Sequence, residues 1–389
     1  MRILHVVASY LPAIRYGGTI ASVHGLARAL SARGHDVHVF TTSVDGPRDS
    51  DVPHGKPVDM DGVNVWYFKS PRLRRIYWAP DLAEALSKRV AGFDVVHTHA
   101  IYLWPMWAAA RAARRANVPY VVSPRGMLER ELVAEKSPLM KGLWIAAIER
   151  HNLEGAAAIH VTSARELDEA AAFGFKLPPV FTIPNGVDGE TSPSCPAVSP
   201  AVSQLLDRGP FVLFLGRVNW KKGLDRLIAA MPAARDAHLV IAGNDEDGYQ
   251  PVLEGIAARA GVTGRVRFIG MVHGADKAAL LAGAKALVLP SYSENFGNVV
   301  LEAMAAACPV IVTPEVGAGS IVQDTRSGWV VEGDPGQLGQ AIARMLADPD
   351  GARQMGERGQ AAARARFSWD AVAARMEYVY ESISGEPAA

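Results

Sequence analysis

The chain has 389 residues, and its 40 basic and 40 acidic side chains cancel. That length accommodates two or three domains with sizeable cores, and the absence of net charge excludes a global field that would gather nucleic acid or an acidic membrane. Two cysteines, Cys195 and Cys308, are too few for a disulfide framework, and no run of 18 or more apolar residues or signal-peptide pattern is present, so a cytoplasmic protein is expected.

Strand-like apolar runs alternate with amphipathic helix-length segments, the pattern of a parallel sheet with crossover helices. In the first half the predicted strands are Arg2–Ala8, Asp36–Thr42, Val63–Phe68, Asp94–His97, Tyr120–Ser123, Ala158–Thr162 and Val180–Ile183. Predicted helices lie at Thr19–Arg33, Trp104–Ala116, Leu139–His151 and Ala164–Phe173, with Gly34 and Gly174 as C-terminal stops. Residues 189–209, rich in Ser and Pro, read as a linker.

A second alternation follows: Phe211–Leu215, Leu239–Ala242, Val266–Ile269, Ala286–Leu289, Val310–Thr313 and Trp329–Val331 as strands, then helices at Gly336–Ala347, Gly351–Ala365 and Trp369–Ser382. The expected organisation is a first Rossmann-like domain over 1–188 and a second over 210–368. Two successive doubly wound sheets imply a ligand cleft at the carboxyl ends of the strands.

The most telling segment is Ser293-Glu294-Asn295-Phe296-Gly297-Asn298, leading to Glu302. A carboxylate just before a helix start lies beside unsatisfied backbone amides and the positive end of the dipole. Glu294 can accept from sugar hydroxyls while the amides of Asn295 to Asn298 meet an anion, and Glu302 would lie about 12 Å away if all eight residues were helical. The bland alternatives are a carboxylate that stabilises its own helix and a solvated helix residue. Arg217 and Lys222 follow the Phe211–Leu215 strand. Fixed cations there stabilise a leaving diphosphate in the transition state, although a solvated basic turn has the same composition. His97 and His99, two apart on one strand, point the same way and are expected to approach the cleft. A His-x-His metal site is disfavoured because no third ligand has suitable spacing.

The Glu294…Glu302 pair resembles the glutamate-x7-glutamate signature of the retaining glycosyltransferases of family 4, which have the GT-B fold. Gly216-Arg217-Val218-Asn219-Trp220-Lys221-Lys222-Gly223 is similar to that family's glycine-arginine…lysine-glycine element, and Ile183-Pro184-Asn185-Gly186-Val187-Asp188 to its interdomain segment. Gly17-Gly18 matches the first-loop glycines, and Ser123-Pro124-Arg125-Gly126-Met127-Leu128 a variant found in cell-surface polysaccharide enzymes.

The resemblance implies a metal-independent hexosyltransferase using a nucleotide-sugar donor, GDP-mannose or a UDP-hexose, and a saccharide or lipid-linked acceptor. The product would be a bacterial surface polysaccharide, lipopolysaccharide or glycolipid. It gives Glu294, His99, Arg217 and Lys222 catalytic roles, and donor contacts to Glu302, Asn295, Phe296, Gly297, Asn298, Gly216 and Met271. Gly17, Gly18 and Arg125 would serve the acceptor or phosphate. The last helix would cross back onto the first domain. A GT-B phosphorylase or epimerase, and a binding partner without turnover, are the rival readings.

Asp59-Met60-Asp61 reads as a turn and Asp245-Glu246-Asp247 as a loop, neither in the chain context of a metal-dependent enzyme, so no essential metal is expected. Arg72 to Trp78 is a basic and aromatic cluster suited to a lipid headgroup, or equally a solvated loop; Leu139, Met140, Leu143, Trp144 and Ile148 could line a membrane face or the core. Ala307 departs from the family's glycine, and no glutamate follows Gly317-Ala318-Gly319 directly.

Overall fold

A computed structural model describes residues 1–13, 17–128, 144, 148–189, 197–245 and 247–385. The chain divides into two units, residues 1–186 with 369–389, and residues 187–368.

The first unit holds β1 (Arg2–Ser9), β2 (Asp36–Thr42), β3 (Val44–Asp45), β4 (Arg48–Asp49), β5 (Pro57–Met60), β6 (Val63–Phe68), β7 (Val95–His99), β8 (Tyr120–Ser123), β9 (Ala158–Val161) and β10 (Val180–Thr182). Eight of them form one sheet in the order β10-β9-β8-β7-β1-β2-β6-β5. It is parallel except for β5, which runs antiparallel to β6. Seven of the eight β1 residues are buried, as near-continuous apolar runs require when helices cover both faces. β5 was not expected: Asp59 and Met60 lie in this edge strand, and the turn predicted for Asp59–Asp61 is confined to Asp61-Gly62. Its alternating exposure on a sheet edge makes it too polar to signal a strand.

The Gly18–Ala32 helix ends in Gly34 at φ +92°, as expected. The Trp369–Ser384 helix packs on it within this unit. The indole of Trp369 lies where a Cβ on Gly25 or Gly186 would be, 2.2 and 2.6 Å from ring atoms, so both glycines make room for it. Val372, Ala373, Met376, Val379 and Tyr380 bury the inner face of that helix, each large side chain contributing about 1.5–3 kcal/mol. Outside, Glu377 pairs with Arg33 and His35, both at 2.7 Å. Of the predicted Leu139–His151 helix, residues 139–143 and 145–147, including Leu139, Met140 and Leu143, lie outside the described residues; Arg150–Glu154 is helical.

The second unit holds β11 (Phe211–Leu215), β12 (His238–Ala242), β13 (Val266–Gly270), β14 (Ala286–Leu289), β15 (Val310–Val312) and β16 (Gly328–Val330), in the order β13-β12-β11-β14-β15-β16. Every pairing is parallel, so all six carboxyl ends open on one edge. Residues 200–206, expected as linker, instead form a helix whose Val202 joins the core. Ser199 caps it, accepting from the Val202 amide, and Pro200 occupies its first turn. The same Ser-Pro chemistry that marks a loop also starts a helix. Among the described residues, no helix is long and apolar enough to cross a membrane.

Candidate functional site

In the second unit, β11 and β14 are neighbours, so the loops after them emerge side by side. They are tied together: the Tyr292 amide donates to the Lys221 carbonyl at 2.8 Å. Gly223, at φ +63°, packs so closely that a Cβ would lie 1.9 Å from the Pro290 carbonyl oxygen. This contact brings Lys222 onto Glu294, and the ammonium donates to the carboxylate Oε2 in a partly buried ion pair. Glu294 is also held by its backbone. Its amide donates to the Glu315 carbonyl (3.1 Å), and its carbonyl accepts from Gly317 (2.9 Å).

Phe296 is anchored in the core at 3% exposure, and its carbonyl accepts from the Ala318 amide at 2.8 Å. Gly297 at φ +90° then turns the chain into the Asn298–Ala305 helix, a left-handed conformation that suits glycine. The helix therefore starts four residues after Glu294. Of Asn295, Phe296, Gly297 and Asn298, only Asn298 is helical, and Glu302 lies about 6 Å of helix rise beyond it. Glu302 pairs with Lys277 at 2.7 Å. Sequence reasoning missed Lys277, which comes from the Gly274–Gly283 helix.

Arg217 is exposed at the same edge, with no ion pair among the described residues. Its backbone is flanked by bonds from Gly216 to Ala242 and from Val218 to Asn244. Met271 follows β13 and is 51% exposed. An ion pair and a second cation at one strand edge can exchange internal partners for hydroxyls and phosphate oxygens of a ligand. Of the acidic triplet after β12, Asp245 accepts from the Tyr249 and Gln250 amides where the Gln250–Arg259 helix begins.

In the first unit, Gly17 precedes and Gly18 opens the Gly18–Ala32 helix, both exposed. The histidines depart from expectation. His97 and His99 do point to one side, with ring centroids 4.2 Å apart, but both are fully buried. His5 stands opposite His97 in the register of β1 and β7, and its Nδ1 lies 2.9 Å from His99 Nε2. The third imidazole, which chain spacing did not supply, thus comes from the adjacent strand. Ligating atoms of His5, His97 and His99 lie within 4.8 Å of one another.

Arg125 also turns inward. At φ +56° it donates to Asn185 Oδ1 (2.8 Å) and His99 Nδ1 (3.1 Å). Asn185, read as a turn residue, is its acceptor, and both ring nitrogens of His99 are occupied. The direction of every bond follows from the two ends. Arginine can only donate, so His99 accepts at Nδ1 and gives its Nε2 proton to His5 Nδ1, leaving the His5 proton on Nε2, which has no partner among the described residues. At the other end the Ile183 carbonyl accepts from His160 Nε2 (2.9 Å). His160 Nδ1 then accepts from Ser123 Oγ (2.7 Å), and Ser123 accepts from His97 Nε2 (2.8 Å). His97 Nδ1 in turn accepts from the Tyr380 hydroxyl (2.7 Å).

Burial holds all four imidazoles neutral. It pushes His5 and His160 down to about 3 and His97 and His99 well below the usual histidine range, reinforced by Arg125. Burial also lowers Arg125 to about 10. A guanidinium donating to one of the three clustered imidazoles is an unfavourable neighbour for a dication. The local signals for this network are histidines inside apolar runs, His5 in Ile3-Leu4-His5-Val6-Val7 and His160 in Ala157-Ala158-Ile159-His160-Val161.

Two Rossmann-like units of doubly wound parallel sheet define a GT-B glycosyltransferase fold. Residues 17–186 match the glycosyl transferase 4-like domain and residues 199–362 the glycosyl transferases group 1 model. The D-inositol 3-phosphate glycosyltransferase of Xylanimonas cellulosilytica is 31% identical over 94% of this chain and 91% of its own. The chain belongs to the glycosyl transferases of group 1, and glycosyltransferase activity follows from that membership. Among solved structures, sucrose-phosphate synthase from Thermosynechococcus elongatus superposes with a TM-score of 0.76 at 25% identity, covering 99% of both chains. Anabaena HepE in complex with UDP and glucose gives 0.76 at 21%, covering 98% of this chain and 100% of its own.

Proposed function

We propose that this enzyme is a retaining hexosyltransferase that moves a sugar from a nucleotide-diphosphate donor, GDP-mannose or a UDP-hexose, to a saccharide or glycolipid acceptor in surface polysaccharide biosynthesis. The observation that carries this reading is the Lys222–Glu294 ion pair beside the exposed Arg217 at the carboxyl edge of β11 and β14. The donor sugar's hydroxyls take over Glu294, which frees Lys222 for the pyrophosphate. Arg217 and Lys222 then meet the charge that grows on the leaving diphosphate, an interaction stronger in the transition state than in the ground state. Glu302 exchanges Lys277 for the ribose hydroxyls.

The first unit takes the acceptor, with Gly17 and Gly18 at a helix start suited to a phosphate. His99 acts through Arg125, its hydrogen-bond donor. No metal is required, because the two cations carry the charge stabilisation. The enzyme works in the cytoplasm, and the exposed Arg72, Leu73 and Arg75 suit peripheral contact with the inner face of a membrane. The binding of UDP and glucose by HepE, a fold relative, supports the donor class.

A thermal-shift panel of nucleotides and nucleotide-sugars, followed by product analysis with a labelled donor, tests the reading. Selective stabilisation by one nucleotide-sugar and net transfer with retained anomeric configuration are expected. Phosphate-dependent glycoside cleavage without net transfer would overturn it in favour of a phosphorylase.

A further inference from the structure

Two residues before Lys222 stands Trp220, and two before Glu294 stands Tyr292. Their side chains are 53% and 42% exposed, and the rings lie 6.5 Å apart at 40°. Trp is highly buried on average and Tyr intermediate. Here both are held outward.

Tyr292 is fixed from three directions. Its amide donates to the Lys221 carbonyl, and its hydroxyl donates to Asp225 Oδ2 at 2.8 Å. One ring face is covered by the guanidinium of Arg226, 3.7 Å from the centroid. Arg226 is itself 9% exposed, and its Nε and one terminal nitrogen are buried without hydrogen-bond partners among the described residues. Leaving donors of a buried cation unpartnered is costly, and here that cation holds an exposed ring in place. Trp220 is steadied by Lys221, whose ammonium lies 5.7 Å from the indole.

We propose that Trp220 and Tyr292 form a rigid platform on which a pyranose ring of the saccharide substrate stacks, alongside Lys222 and Glu294. A pyranose presents a C–H face to an aromatic ring and hydroxyls at its rim that can donate to Glu294, while Asp225 holds the Tyr292 hydroxyl. Aromatic surface of this kind binds at low entropic cost because the rings are already fixed. The ring belongs either to the donor hexose or to the acceptor, and which of the two depends on the donor reading above.

The test compares wild type with Trp220→Ala, Tyr292→Ala and Tyr292→Phe. Affinities are measured for UDP against UDP-glucose, GDP against GDP-mannose, and maltotetraose and cellotetraose as free saccharides. In the two alanine variants, affinity for a nucleotide-sugar relative to its nucleotide, or for a tetrasaccharide, is expected to fall about tenfold or more. Nucleotide affinity stays within about twofold, and Tyr292→Phe, which keeps the ring, retains most sugar affinity. A loss confined to nucleotide-sugars assigns the donor hexose; a loss confined to tetrasaccharides assigns the acceptor.

Unchanged sugar affinity, or an equal loss for the bare nucleotides, overturns the platform. So does a change of oligomeric mass in Trp220→Ala, which would make the aromatic pair a protein interface. If wild type binds neither nucleotide, the donor reading fails by itself, and the tetrasaccharide arm alone decides the platform.

Discussion

Gly223 abuts the carbonyl of Pro290 so closely that any side chain at position 223 would strike backbone, with a Cβ 1.9 Å from the oxygen. Because Lys222 precedes Gly223 and Glu294 follows Pro290 by four residues, this contact sets the distance between the two charged groups.

Gly223→Ala is therefore expected to impair both stability and turnover. The left-handed backbone alone costs an alanine roughly 1–2 kcal/mol, and the collision parts the two loops. Thermal unfolding should show a drop of several degrees, and transfer should fall well beyond what the lost stability explains. A variant with wild-type rate would mean the loop spacing is irrelevant to catalysis.

Arg217→Ala and Lys222→Ala are each expected to lower turnover by roughly 10²–10³, the effect of removing a fixed electrostatic donor. Melting temperature should barely move for Arg217→Ala, because that side chain is exposed with no ion pair among the described residues. Steady-state kinetics with saturating donor decide the matter, and full activity in both variants would refute their assignment.

The histidine cluster predicts a specific acid sensitivity. His5 and His160 titrate near 3 in the folded protein and near 6.5 when unfolded, so below about 6.5 the unfolded state binds protons that the folded state refuses. Stability then rises with pH between these limits and falls as pH drops below about 6.5, by roughly a kcal/mol or more per pH unit for each such histidine. Melting curves from pH 8 to 5 should steepen downward below 6.5, and less so in His160→Asn. A flat profile would contradict a neutral buried cluster.

Excess chelator is expected to leave transfer intact, although His5, His97 and His99 come within reach of a common point. Arg125 donates to His99 there, which opposes a dication. Activity lost to chelator and restored by manganese would overturn the metal-free mechanism.

Ala307 sits at φ +55° after the Asn298–Ala305 helix, and its carbonyl lies 1.9 Å from where a Cβ on Gly356 would fall. Ala307→Gly relieves the left-handed strain, offset in part by a more flexible unfolded chain. A rise in melting temperature corresponding to about 0.5–1 kcal/mol is expected, with kinetics unchanged.

Most of the architecture could be read along the chain. Buried parallel strands are continuous apolar runs, and glycines, prolines and amphipathic periods mark what joins them, all within windows of about ten residues. The loops carrying Lys222 and Glu294 were legible for the same reason, as charged residues following apolar strands. Tertiary structure alone decided which groups meet. His5 and His99 are 94 residues apart and Lys222 and Glu294 are 72 apart, brought together by strand order and register across crossovers that no local pattern encodes. Arg125 and His99 looked available for ligands and prove to be each other's partners, and Ser199-Pro200 opened a helix rather than extending a linker. Propensity speaks for a residue and its near neighbours, whereas burial and pairing belong to the folded sheet.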